Sequence, residues 1–83
     1  MDAITLPPVI RLSPEDGVVI ARIGLPPGVP VAEGVRVRDR RIPPGHKVAT
    51  RALAPGEPVR RYGQIIGFAT EAIAPGDWVH THN

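Results

Sequence analysis

Three histidines are the groups in this 83-residue chain best suited to chemistry, and all three lie at repeat turns or their exits. His80 and His82 are two apart in Trp78-Val79-His80-Thr81-His82-Asn83. On an extended strand that spacing puts both imidazoles on one face beside Trp78, with Val79 and Thr81 opposite. So placed, they can converge on one metal ion or one substrate carboxylate. They can equally be exposed histidines at a polar strand end. His46 and Lys47 follow directly after a Pro-Gly turn. Loops on rigid scaffolds often carry function, and imidazole titrates near neutral pH, which suits acid–base work. By residue type alone, however, these two read as ordinary surface residues.

Arg36, Arg38, Arg40, Arg41, Arg60 and Arg61 could form a basic face, since guanidinium suits carboxylates and phosphates. The reading favoured here is the solvated face of edge strands, where charges block edge pairing. The formal net charge is only +2 and aromatics are 4% of the chain, so a polyanion partner and base stacking are both poorly supported. No nucleic-acid partner is expected. The carboxylates are scattered among turns and form no evident catalytic pair. With no cysteine there is neither a disulfide framework nor a Cys-based zinc site, which fits a cytoplasmic protein. No stretch approaches the roughly 20 apolar residues of a membrane span. No basic segment followed by an apolar one marks a signal peptide.

The elements that must position these groups are announced by a repeat. Leu25-Pro26-Pro27-Gly28-Val29-Pro30-Val31, Ile42-Pro43-Pro44-Gly45-His46-Lys47-Val48, Leu53-Ala54-Pro55-Gly56-Glu57-Pro58-Val59 and Ile73-Ala74-Pro75-Gly76-Asp77-Trp78-Val79 share one pattern. Leu or Ile stands three residues before the Gly and Val three residues after it. Pro then Gly fits a type II turn, in which Pro presets φ near −65° and Gly accepts a positive φ. Gly 9 and Pro 11 are high counts, but their fixed places in a repeat argue for turns rather than disorder. The length predicts one domain with a thin core. It spans 1–83, with 1–8 a lead-in that frays.

Strands are predicted at Val9–Leu12, at Val18–Ile23 in a central position, at Val35–Arg38 with one wet face, and at Lys47–Leu53. A pair at Pro58–Tyr62 and Gln64–Ala69 is broken at Gly63, and a last strand runs from Trp78 to His82. No segment has a sustained helical period, so the fold class is mostly β, with short strands joined by Pro-Gly turns.

Three stretches carry a resemblance. Pro44-Gly45-His46-Lys47-Val48-Ala49, then Gly56 through Ala69 with its Tyr62-Gly63-Gln64-Ile65-Ile66-Gly67 core, then Ile73 through Asn83 ending His80-Thr81-His82-Asn83, resemble the small N-terminal domain or subunit of the altronate dehydratase family. The likeness covers roughly residues 9 to 83 and is weakest before Arg36. It implies an SAF domain with a β-clip fold. It also implies a lyase, specifically a hydro-lyase that converts an aldonate such as D-altronate to a 2-keto-3-deoxy acid. Relatives include galactarate dehydratases and sulfolactate sulfo-lyases, the latter expelling sulfite instead of water. The His-x-His-Asn ending favours altronate dehydratases and sulfo-lyases over galactarate dehydratases.

From the resemblance, His46, His80 and His82 are expected as catalytic groups and Lys47, Tyr62, Gln64 and Asn83 as substrate contacts. The resemblance also implies His80 and His82 as ligands of a divalent metal, iron or manganese, in the complete enzyme. The family implies a large catalytic domain or subunit as partner, with a sugar acid as substrate. The isolated chain is expected to be inactive and to pair with itself or that partner. The alternatives are the alpha subunit of a sulfolactate sulfo-lyase-like enzyme and a non-catalytic SAF binding or assembly module.

Overall fold

The computed structural model describes residues 8–80, 82 and 83. The expected lead-in up to residue 7, and the placing of Thr81, lie outside them. Eight short strands and no helix are found among the described residues: β1 Val9–Ile10, β2 Val18–Ala21, β3 Pro30–Ala32, β4 Val35–Arg36, β5 Lys47–Ala49, β6 Pro58–Arg61, β7 Gln64–Phe68 and β8 Trp78–Val79. The mostly-β expectation is met. One antiparallel sheet has the order β1-β2-β5-β8; β3-β4 and β6-β7 are separate hairpins.

All four Pro-Gly turns are as the repeat predicts. Gly28, Gly45, Gly56 and Gly76 have φ between 81° and 92°. The residue after each Gly donates its N–H back to the carbonyl that opens the turn: Val29 to Pro26, His46 to Pro43, Glu57 to Ala54 and Asp77 to Ala74. The turns differ in one consequential way. Where the opening residue is Ala it has an N–H to satisfy, and the acid after the Gly accepts it: Ala54 to Glu57 Oε1 and Ala74 to Asp77 Oδ2. Where the opening residue is Pro26 or Pro43 there is no N–H. Val29 and His46 therefore carry no such duty.

The repeat proves to be an internal duplication. Leu25 bridges Ile42, and Leu53 bridges Ile73, each antiparallel with reciprocal backbone hydrogen bonds. The Gly28 N–H reaches the Val37 carbonyl as Gly56 reaches Ala69. The Gly45 N–H reaches Ala21 as Gly76 reaches Ala49. Two matched cores follow. Ala21, Leu25, Val31, Val37, Ile42 and Val48 pack in one; Ala49, Leu53, Val59, Ala69, Ile73 and Val79 pack in the other. Leu25, Ile42, Leu53 and Ile73 are essentially excluded from solvent, each contributing about 1.5–3 kcal/mol by burial. β5 closes the first half and opens the second.

All seven predicted strands are shorter than expected, β6 and β7 by a single residue and Val35–Arg38 by two. The ladder in β2 and β5 stops at Ala21 and Ala49, whose carbonyls accept from Gly45 and Gly76. The chain then bends away so that Leu25 and Leu53 can reach their bridges. β1 ends at Ile10, ahead of the Ser13–Asp16 turn. β8 ends at Val79, because Asn83 folds the tail back on itself. β3 was not foreseen: Val29-Pro30 reads as more turn, yet proline is tolerated at the first position of a strand.

The β6-β7 hairpin turns through Tyr62 (φ 57°) and Gly63 (φ 72°), the paired positive φ of a type I′ turn. Tyrosine is an unusual occupant. Asp16, 5% exposed, holds it there by accepting the Tyr62 N–H at 2.9 Å and the Gly63 N–H at 2.8 Å.

Candidate functional site

His46 precedes β5, and His80 follows β8. In the β5–β8 ladder Lys47 is opposite Val79 and Val48 is opposite Trp78. His46 and His80 each lie one residue beyond that last pair, and their ring centroids are 4.9 Å apart. Side chains two apart share a face, so Trp78 lies on that side too. Its indole stacks on His80 at 5.3 Å with planes 6° apart. It tilts against His46 at 5.5 Å and against His82 at 5.3 Å. The three histidines singled out in the sequence therefore gather on one tryptophan.

The indole also makes a directed bond. Trp78 Nε1–H donates to His46 Nδ1 at 3.1 Å. The sequence placed Trp78 beside His80 and His82 and assigned it no further role. The hydrogen bond to a residue 32 positions away needs the β5–β8 pairing to be visible.

Asn83 latches the tail. Its Oδ1 accepts the His80 N–H, its Nδ2 donates to the Trp78 carbonyl, its own N–H reaches the His80 carbonyl, and its carbonyl takes the Thr70 N–H. Both ends of the amide are spent on backbone. Asn83, expected as a substrate contact, thus ties the backbone at Trp78, His80 and Thr70 together and borders both hollows described next.

His80 lines a hollow of about 360 Å³ with Lys47, Val59, Ile66, Gly67, Phe68, Thr70, Val79 and Asn83. His82 lines another, of about 260 Å³, with Trp78, Asn83 and the charged residues Arg38, Asp39, Arg40, Glu71 and Asp77. His80 and His82 thus line different hollows, both bordered by Asn83. Lys47 joins His80. Tyr62 and Gln64 line neither hollow. They sit at the far end of the hairpin, four strand residues beyond Phe68, about 13 Å at the usual rise.

Four of the six arginines are tied to separate partners. Arg36 donates to the Gly28 carbonyl, Arg38 pairs with Asp77 at 3.1 Å, Arg60 donates to the Gly63 carbonyl, and Arg61 lies over the Tyr62 ring.

Among the described residues no three His, Cys, Asp or Glu side chains converge to hold a metal ion. His80 and His82, facing different hollows, do not form a metal centre on their own. What the arrangement offers is a set of three imidazoles on a fixed indole platform, two of them exposed.

Residues 7–83 match the altronate/galactarate dehydratase SAF domain family. Altronate dehydratase of Escherichia coli is 36% identical over 77 residues, 89% of this chain and 15% of that protein. Galactarate dehydratase (L-threo-forming) of the same organism is 34% identical over 62 residues, 75% of this chain and 12% of that protein. The (2R)-sulfolactate sulfo-lyase subunit alpha of Chromohalobacter salexigens is 48% identical over 42 residues, 51% of this chain and 45% of that protein. The chain thus spans under half the length of each of these relatives, and a far smaller share of the dehydratases. Matched over nearly its whole length, the chain belongs to the altronate/galactarate dehydratase SAF domain family.

Proposed function

We propose that this chain is the small SAF portion of a sugar-acid dehydratase and supplies His46, His80 and His82 to an active site completed by a larger catalytic portion. The observation that carries the reading is the convergence of all three histidines on Trp78 through the β5–β8 register. Removing water from an aldonate such as D-altronate, to give a 2-keto-3-deoxy acid, takes three things. A base removes the proton next to the carboxylate, an acid assists the leaving hydroxyl, and positive charge holds the enediolate. Imidazoles can take the first two roles, and Lys47, beside His80, can meet a carboxylate. The chain by itself does not fit a divalent metal, so iron or manganese in the assembled enzyme would be held mainly by the larger portion. No helix among the described residues is long and apolar enough to cross a membrane, and a cytoplasmic site fits an enzyme of free sugar acids.

A second reading, the alpha subunit of a sulfolactate sulfo-lyase-like enzyme, is favoured by the higher identity of the two alpha subunits, 48% over 42 residues in each. The test combines the chain with its large catalytic portion and offers D-altronate, galactarate and (2R)-sulfolactate in turn. A 2-keto-3-deoxy acid from a sugar acid supports the dehydratase, and sulfite release supports the second reading. Turnover equally fast without this chain would refute both.

A further inference from the structure

The indole nitrogen can only donate, so His46 Nδ1 accepts. In the neutral imidazole the proton then lies on Nε2. We propose that Trp78 is a positioning residue that fixes His46 in the Nε2–H tautomer, so that His46 meets its ligand as a hydrogen-bond donor to an anionic or hydroxyl oxygen.

Several observations converge on this. His46 is half-buried, and its ring is flanked by the Trp78 and His80 rings. Trp78 is itself held on both sides, by the β5 ladder and by the Asn83 side chain on its carbonyl. Nε2 makes no hydrogen bond among the described residues. It is the one ring nitrogen left for an outside molecule. The opposite tautomer would bring two N–H groups face to face at 3.1 Å, each without its acceptor. A buried partner on one imidazole nitrogen sets what the other presents. His80 stacks on the same indole but receives no such bond among the described residues, whereas His46 has its tautomer dictated. The ligand half rests on the proposed function, in which an acidic sugar reaches the site. The tautomer half does not.

The experiment is nitrogen-15 NMR of the full 83-residue chain at about pH 8, above the ordinary imidazole range. A scalar coupling between Trp78 Nε1 and His46 Nδ1, with the proton of His46 on Nε2, is the expected result. In Trp78→Phe the His46 signals should move toward the exchange-averaged mixture, using His80 and His82 as references in the same molecule. A proton on Nδ1 in the wild-type chain overturns the proposal, and this holds even if Trp78→Phe fails to fold. A folded Trp78→Phe chain with an unchanged His46 tautomer overturns it as well.

The ligand half is read in the assembled enzyme. His46→Gln, which keeps an N–H donor near the Nε2 position, should recover at least ~10-fold in kcat/KM over His46→Ala. Equal loss in the two variants overturns the donor role while leaving the site reading intact. Full activity of His46→Ala sinks the site reading and the donor role together, and leaves the tautomer standing.

Discussion

His46 and His80, 34 residues apart in sequence, stand side by side because each lies one residue beyond the last pair of the β5–β8 ladder, Lys47 with Val79. Their proximity follows from the ladder that both of them flank. Alanine at either position should therefore leave the fold in place. In the assembled enzyme each change should lower turnover at least ~10²-fold, the low end for losing an acid–base group. Melting curves and assays of both single variants with the large portion present check this. Full activity in both would return the pair to ordinary surface histidines.

Asp16 should matter more to stability than its place in a surface turn implies. Its buried carboxylate takes two backbone N–H groups that keep Tyr62 at positive φ. Asp16→Ala leaves both unpaired and should cost about 1.5–3 kcal/mol, the range for hydrogen bonds to a charged group. Tyr62→Gly relieves the conformational strain and should be neutral or mildly stabilising. Chemical denaturation of the two variants tests the pair, and a harmless Asp16→Ala would refute the account.

Two turn glycines should respond differently to alanine. A Cβ at Gly45 meets open space, and the cost is the positive φ alone, about 1–2 kcal/mol. At Gly76 the same Cβ would collide with the Arg36 carbonyl oxygen, which is backbone and cannot swing aside. Gly76→Ala should lower the melting temperature well beyond Gly45→Ala; equal effects would contradict the packing described.

Much of this was legible in the chain. The Pro-Gly spacing gave the turns, their φ signs and the strand-rich class, because turn chemistry is local. The alternation at Val35-Arg36-Val37-Arg38 correctly put the valines inward. What stayed hidden depends on pairing. Nothing local says that Leu25 bridges Ile42, that β8 lies on β5, or that Asp16 reaches a turn 46 residues on. The His80–His82 spacing likewise read as a continuing strand, whereas Asn83 turns it into a latched loop with the two rings facing different hollows.

Glu57 gives the pH prediction. A hydrogen bond from Arg51, then one from the Ala54 N–H, hold its carboxyl below the ordinary glutamate range. A depressed folded value means the stabilisation is complete above the unfolded value, about 4.3, and vanishes as pH falls through the folded one. Both side chains reach solvent, so the effect should be modest and weaken with salt. Melting temperature against pH should therefore fall less steeply in acid for Glu57→Gln than for the wild type. Parallel curves would refute the linkage.

The exposed side of the β6-β7 hairpin should be where the larger portion docks. Ile65, Ile66 and Phe68 are about half exposed or more on a strand whose outer edge pairs with no other strand among the described residues, and such edges invite pairing. Ile66 and Phe68 line the same hollow as His80 and Lys47, so whatever completes a site at His80 must cover them. Ile66→Asp with Phe68→Asp should keep the melting curve and abolish co-purification with the large portion. Undiminished co-purification would move the interface elsewhere.

The two proline-opened turns have an evolutionary consequence. A turn that opens on alanine spends its fourth residue on holding itself shut, and selection cannot change that acid freely. A turn that opens on proline leaves the fourth residue available for selection to vary. One such vacancy, after Gly45, is filled by a histidine. The other, after Gly28, is filled by a valine packed on the core. Within this architecture, proline at the head of a turn is what lets new chemistry be tried without first dismantling the scaffold.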